Sequence, residues 1–228
     1  MNVLTATTVE SMVKNVLAVY YEALQYPTVV SEGMNWYADA HEFCIEQSLM
    51  FNTSVEVVAG VVAALSPGNR WDRNKLDAVS CLTAVARGVG VESFKSGTYG
   101  VANKEKAYRI ARGEQPLDVL GGNKVRAFYL LIATAGVDSN VVCVDGHAVH
   151  IALGLTDKAI NKAPNMSAKN YLKVADAYLE AAKYINSSRM SPSPWLEPGA
   201  STGVSGAQVQ AVTWVMQRIK KGVVRPEV

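Results

Sequence analysis

Two short stretches carry residues able to do chemistry. The first is Leu120-Gly121-Gly122-Asn123-Lys124, followed by a helical pattern from Val125 to Ala135. A glycine pair ahead of a helix exposes backbone N–H groups that no side chain crowds. With Lys104 and Lys106 before it and Lys124 and Arg126 after it, such a turn suits a phosphate. The second is Val141-Val142-Cys143-Val144-Asp145-Gly146-His147, where an acid opens a helix behind four apolar residues. A helix N-terminus stabilises a carboxylate as an anion, so Asp145 can serve as a fixed charge near neutral pH. Two roles fit Asp145: helix N-cap, the commonest task of Asp at a helix start, and electrostatic partner to a developing cation.

The elements that must hold these stretches are helices. Val9, Val13, Val16, Leu17, Tyr20 and Leu24 recur at helical spacing behind Thr7 and Thr8, and Pro27 ends the run. A second helix spans about 31–51, with Trp36, Ala40, Phe43 and Cys44 on one face. Ser54 caps Val55–Leu65, which is apolar almost all round and so belongs in the middle of a core. Further helices are read over 71–87, 101–112, 123–135, 145–153, 167–185 and 205–220, with a short turn at 117–120. The expected fold is all-α with about nine or ten helices. Residues 1–228 are read as one unit of two lobes sharing a cleft, with a Ser-, Pro- and Gly-rich loop over 186–205. In that loop Trp195 and Leu196 are costly to leave in water and are expected to dock, on the protein or on a ligand.

Composition narrows the class. The 228 residues are 49% hydrophobic and 18% charged, which excludes a disordered chain and a coiled coil. No apolar stretch approaches the roughly 20 residues that span a bilayer, so no membrane role is expected. The first residues show neither a basic region nor a signal-type apolar core, which predicts a cytoplasmic location. Cys44, Cys81 and Cys143 are odd in number and far apart, so they read as buried thiols rather than disulfides or metal ligands. His147 and His150, one helical turn apart beside Asp145, imitate part of a two-His, one-carboxylate site, but no third element converges on them, and neither metal nor cofactor is expected. The net charge of +2 is uneven: residues 1–60 hold Lys14 against seven acids, a net of −6, which leaves +8 for residues 61–228. That surplus is compatible with DNA as partner and equally with solvated helix faces.

The order of these landmarks resembles the helix-hairpin-helix DNA glycosylase superfamily, which includes endonuclease III. That family pairs a glycine hairpin with a downstream Val-Asp-Thr-His segment, and Val144-Asp145-Gly146-His147 is similar to the latter. Ala64-Leu65-Ser66-Pro67 with Trp71-Asp72-Arg73-Asn74 resembles the family's early core helix and DNA-facing loop, and Lys104–Arg109 its helix before the hairpin. The likeness covers about residues 55–155. The hairpin here is about two residues shorter, and the iron–sulfur cysteines of endonuclease III have no counterpart.

The resemblance implies a DNA-base enzyme that flips a nucleotide and cleaves its N-glycosidic bond. It implies Asp145 as the catalytic Asp, an anion stabilising an oxocarbenium-like sugar, and Lys124 at the place of a Schiff-base lysine, where a backbone contact fits as well. Gly121, Gly122, Asn123, Arg126, Lys104 and Lys106 would touch DNA. Asn69, Arg70, Trp71, Asn35, Trp36 and His147 would line the base pocket or wedge the stack; Gln210 and Trp214, one turn apart on the last helix, fit the pocket or the core. Members that transfer a group to a hypermodified thymine in phage DNA, and a DNA-binding module without catalysis, are the alternatives it leaves.

Overall fold

A computed structural model describes residues 3–97, 100–137, 140–155, 166–188, 203–220 and 222. Eleven α-helices are described: α1 Val3–Ala6, α2 Val9–Ala23, α3 Pro27–Phe51, α4 Val55–Leu65, α5 Trp71–Ala86, α6 Val101–Ala111, α7 Pro116–Val119, α8 Asn123–Ala133, α9 Gly146–Ala152, α10 Ala168–Ser187 and α11 Gly206–Lys220. A 3-10 turn lies at Val91–Ser93, and the described residues contain no strand. The all-α reading holds. No single described helix is long and apolar enough to cross a membrane. The chain divides into two compact units, residues 37–136 and residues 1–36 with 137–228.

In the unit of residues 37–136, α4 is the central element, packed by α5, α6, α7 and α8. Val58 to Leu65 are all buried, as an all-round apolar helix requires. Ser54 accepts the Val57 N–H at 3.2 Å and closes the helix start. The Ile132 carbonyl near the end of α8 meets the His41 Nδ1 of α3 at 2.8 Å.

In the other unit, α2 packs against α9, α10 and α11. Thr8 caps α2 by accepting the Ser11 N–H. Ser205 and Gln208 form a reciprocal capping box on α11, each side chain accepting the other's backbone N–H, at 3.1 and 2.9 Å. Lys173 Nζ donates to the Leu4 and Thr5 carbonyls and ties α1 to α10.

Most boundaries fall within two residues of the sequence reading, and three differences are of more consequence. α3 begins at Pro27, about four residues early, because a proline lacks only an N–H that the first helical turn leaves unpaired. The four residues Val3–Ala6 are helical with Leu4 buried, too short to show a period. α10 continues to Ser187, so the loop read from residue 186 starts later. Asn186 pins its ends, donating Nδ2 to the Val204 carbonyl and accepting the Val204 N–H on Oδ1, at 2.9 and 2.8 Å. Trp195 and Leu196 lie outside the described residues.

Burial makes a prediction about alkaline pH. It pushes the Cys44 and Cys81 thiols and the Tyr20 phenol up to about 12, and raises Tyr171 and Tyr178 further. Each group is held protonated in the fold and ionises at about 8.5 (thiol) or 10 (phenol) once unfolded. Their stabilising effect is complete below those unfolded values and is lost as pH rises toward the folded ones. Each group lowers stability by about 1.4 kcal/mol per pH unit across its interval. Urea midpoints measured from pH 8 to 11 are expected to fall ever more steeply, and a flat profile would contradict the burial.

Candidate functional site

Asp145 is set by its neighbours on both sides. Val142, Cys143 and Val144 are buried outside any helix, and Tyr171 of α10 pairs with their backbone as a neighbouring strand would. Its phenol donates to the Val142 carbonyl at 2.9 Å and accepts the Val144 N–H at 3.1 Å. About two helical turns on, the Tyr178 phenol donates to the Ala148 carbonyl at 3.1 Å. The isolated β-branched run is therefore an anchored lead into α9. Asp145 is its N-cap, Oδ1 accepting the Ala148 N–H at 2.8 Å. The side chain is half-buried, and among the described residues this is the carboxylate's one hydrogen bond.

An aromatic cluster stands in the same unit. The Trp214 ring of α11 meets the Trp36 ring edge to face, centroids 5.8 Å apart, and the His147 ring likewise at 6.4 Å. The Arg218 guanidinium lies over Trp214, its Cζ 4.4 Å from the ring centroid. His147 and Trp36 are thus joined through Trp214, and Asp145 stands two residues ahead of His147 as the cap of the same helix. The spacing leaves Trp214 open to pocket or core and does not single out Arg218; both are half-buried, with the guanidinium over the indole. Asn35 is exposed, Trp36 half-buried and Tyr37 buried, since consecutive residues point about 100° apart on a helix.

The Gly121-Gly122 turn lies in the unit of residues 37–136. Gly121, Gly122 and Asn123 are exposed, and α8 begins at Asn123 with no side-chain cap on its first N–H groups. Gly122 has φ +77°, which an L side chain adopts only under strain. Lys106 Nζ stands 3.8 Å from where a Cβ on Gly121 would be, so one predicted lysine does reach the turn. Lys104 is directed elsewhere, its Nζ 4.6 Å from the Phe94 ring centroid. Lys124 is half-buried in the first turn of α8.

Arg126 is built into the turn rather than presented beside it. Its guanidinium donates to the Leu120 carbonyl from Nε at 2.8 Å and to the Leu117 carbonyl from Nη2 at 2.6 Å. It thereby holds the carbonyls at the end of α7 against the start of α8. Arg126→Ala is expected to cost about 1 kcal/mol, discounted for its exposure, and so to lower the melting temperature by about 2–4 °C. Arg126→Lys recovers only part of this, because the guanidinium reaches the two carbonyls from separate nitrogens, Nε and Nη2, while an ammonium must reach both from one atom. Equal melting temperatures for wild type and Arg126→Ala would contradict the clamp.

The loop after α4 proves to be tied down. Asn69 Nδ2 donates to the Leu65 carbonyl at 3.2 Å and to Asp77 Oδ2 at 2.9 Å. Asp77 is 1% exposed and also accepts from Arg73 Nε at 2.8 Å and from the Gly97 N–H. This buried carboxylate, which periodicity cannot single out, joins the loop, α5 and the chain before α6. Arg70 is exposed; Trp71 is half-buried, edge to face with Phe43 at 6.2 Å and with Lys75 Nζ 5.5 Å from its centroid. Among the described residues no three His, Cys, Asp or Glu side chains gather to hold a metal ion.

These features define an all-helical protein with a carboxylate-capped helix beside a tryptophan cluster in one unit and an uncapped glycine turn in the other. Residues 1–221 match the family described as "Family of unknown function (DUF7178)", and the chain belongs to that family. No curated protein and no solved structure matches it.

Proposed function

We propose that this protein is a DNA-base enzyme of the helix-hairpin-helix glycosylase type, which flips a nucleotide from the duplex and hydrolyses its N-glycosidic bond. The observation that carries the reading is the placement of Asp145. One carboxylate oxygen is fixed by the Ala148 N–H, the backbone ahead of it is held by Tyr171, and the helix it caps carries His147 against Trp214. A fixed anion of this kind opposes positive charge without reorganising when that charge develops. As the bond from C1′ to the base breaks, the base leaves with the electron pair and the sugar becomes oxocarbenium-like. Asp145 stabilises that cation, water adds its oxygen to C1′, and the proton that water loses is taken up by the departed base. In this reading the Gly121-Gly122 turn, with Lys106 and Lys124, takes a backbone phosphate.

The test is release of free base from a panel of duplexes carrying damaged or modified bases, with binding measured in parallel. Release supports the reading. Nucleosides of increased mass without release identify group transfer to the base instead, and binding with neither outcome leaves a DNA-binding module. Borohydride in the same assay is expected to trap no covalent adduct, the result for a Lys124 that contacts phosphate; an adduct abolished by Lys124→Ala would make it a nucleophile.

A further inference from the structure

We infer that Arg218, stacked on Trp214, binds a DNA phosphate next to the nucleotide presented to Asp145; this rests on the reading of the chain as a DNA-base enzyme. Arg218 stands out among the described cations of its own unit. Lys14 is paired with Glu10, Lys183 with Glu180 and Lys220 with Glu22, while Lys173 is spent on the Leu4 and Thr5 carbonyls. Lys169 is exposed at the start of α10. Arg218 is half-buried, yet among the described residues its guanidinium makes no ion pair and no hydrogen bond, only the contact with the Trp214 ring.

That contact places the guanidinium carbon over the ring and engages none of its N–H groups in a hydrogen bond among the described residues. Holding the group on the ring restricts the side chain in advance, so less entropy is lost when the N–H groups engage an anion. The planar edge matches the paired oxygens of a phosphate. Location then favours a phosphate close to the reacting sugar. Trp214 touches His147, which stands two residues after Asp145 at the start of the helix that Asp145 caps, so the guanidinium and the carboxylate flank the same short stretch of chain. An anionic Asp145 at the strand repels the backbone phosphates on either side of the nucleotide. A cation held on the adjoining ring offsets that repulsion without neutralising the carboxylate itself.

The experiment uses the full chain and a duplex with one tetrahydrofuran abasic analogue, which fixes the register. Methylphosphonate is placed at each linkage around the analogue in turn, removing one charge at a time. Binding is measured for wild type, Arg218→Met and Arg218→Lys. At one linkage methylphosphonate is expected to weaken wild-type binding about tenfold, as a charge-assisted contact on a half-exposed side chain would. Arg218→Met weakens binding of the unmodified duplex by a similar factor, and the two changes together are no worse than either alone. The slope of log affinity on log salt falls by about one for Arg218→Met and stays near wild type for Arg218→Lys, which keeps the charge and loses the fork.

If Arg218→Met disturbs folding, seen as a lowered melting temperature, Arg218→Lys carries the cycle, with a smaller loss confined to the same linkage. Losses that multiply at every linkage, or a salt slope unchanged in a folded Arg218→Met, overturn the inference while the DNA reading stands. Failure of the wild type to bind the duplex overturns both.

Discussion

Asp145→Asn is expected to slow base release by about 10²–10³-fold while leaving the fold and the DNA affinity close to wild type. The amide is nearly isosteric with the carboxylate, and Asn is as good an N-cap as Asp, so its oxygen can still accept the Ala148 N–H. What disappears is the negative charge. A neutral amide opposes an oxocarbenium-like sugar weakly, and the loss falls on the transition state, where the cation exists, rather than on the bound duplex. Asp145→Ala separates the two roles. It removes charge and cap together, so it shows the same kinetic loss plus about 0.5–2 kcal/mol of stability. Single-turnover base release, with melting temperature and affinity from the same preparations, reads all three quantities. Wild-type turnover in Asp145→Asn would reduce Asp145 to a cap.

The helices were legible because their signals are local. Thr8, Ser54 and Ser167 each stand one residue ahead of an apolar period and each side chain accepts a backbone N–H at the start of the helix that follows. The position of Asp145 at the head of α9 was legible for the same reason. The partners that decide what the site can do were not, because they come from elements distant in sequence. Tyr171 reads as an ordinary inward residue of α10, and nothing in its spacing announces that its phenol replaces a strand for Val142 and Val144. Arg126 counted as one more base near a glycine turn, whereas its fork is engaged by two carbonyls. Asp77 lies on a helix with alternating charges, and only three converging donors distinguish it from a solvated acid. Composition assigns charge to a region, and packing decides which of those charges are spent internally.

Gly33→Ala is expected to destabilise the protein by about 3 kcal/mol and to lower the melting temperature by roughly 6–12 °C. On helix propensity alone the substitution is favourable, since glycine inside a helix costs about 0.5–1 kcal/mol relative to alanine. Packing reverses the sign. A Cβ at Gly33 would stand 2.4 Å from Val212 Cα and 2.7 Å from both its N and its Cγ2. Two of those atoms are backbone, so no rotamer relieves the overlap and α3 must move away from α11. Val212 is fully buried and α11 also packs on α2, α9 and α10, so the shift spreads through the unit. It also reaches the site. Trp36 lies one turn beyond Gly33 on α3, and Trp214 two residues beyond Val212 on α11, so the Gly33–Val212 approach sets the 5.8 Å spacing of the two indoles. Near-ultraviolet circular dichroism, which senses coupled tryptophans, should therefore change in Gly33→Ala even at temperatures where the variant remains folded. An unchanged spectrum together with a raised melting temperature would leave propensity as the only effect and would mean that α3 and α11 do not meet there.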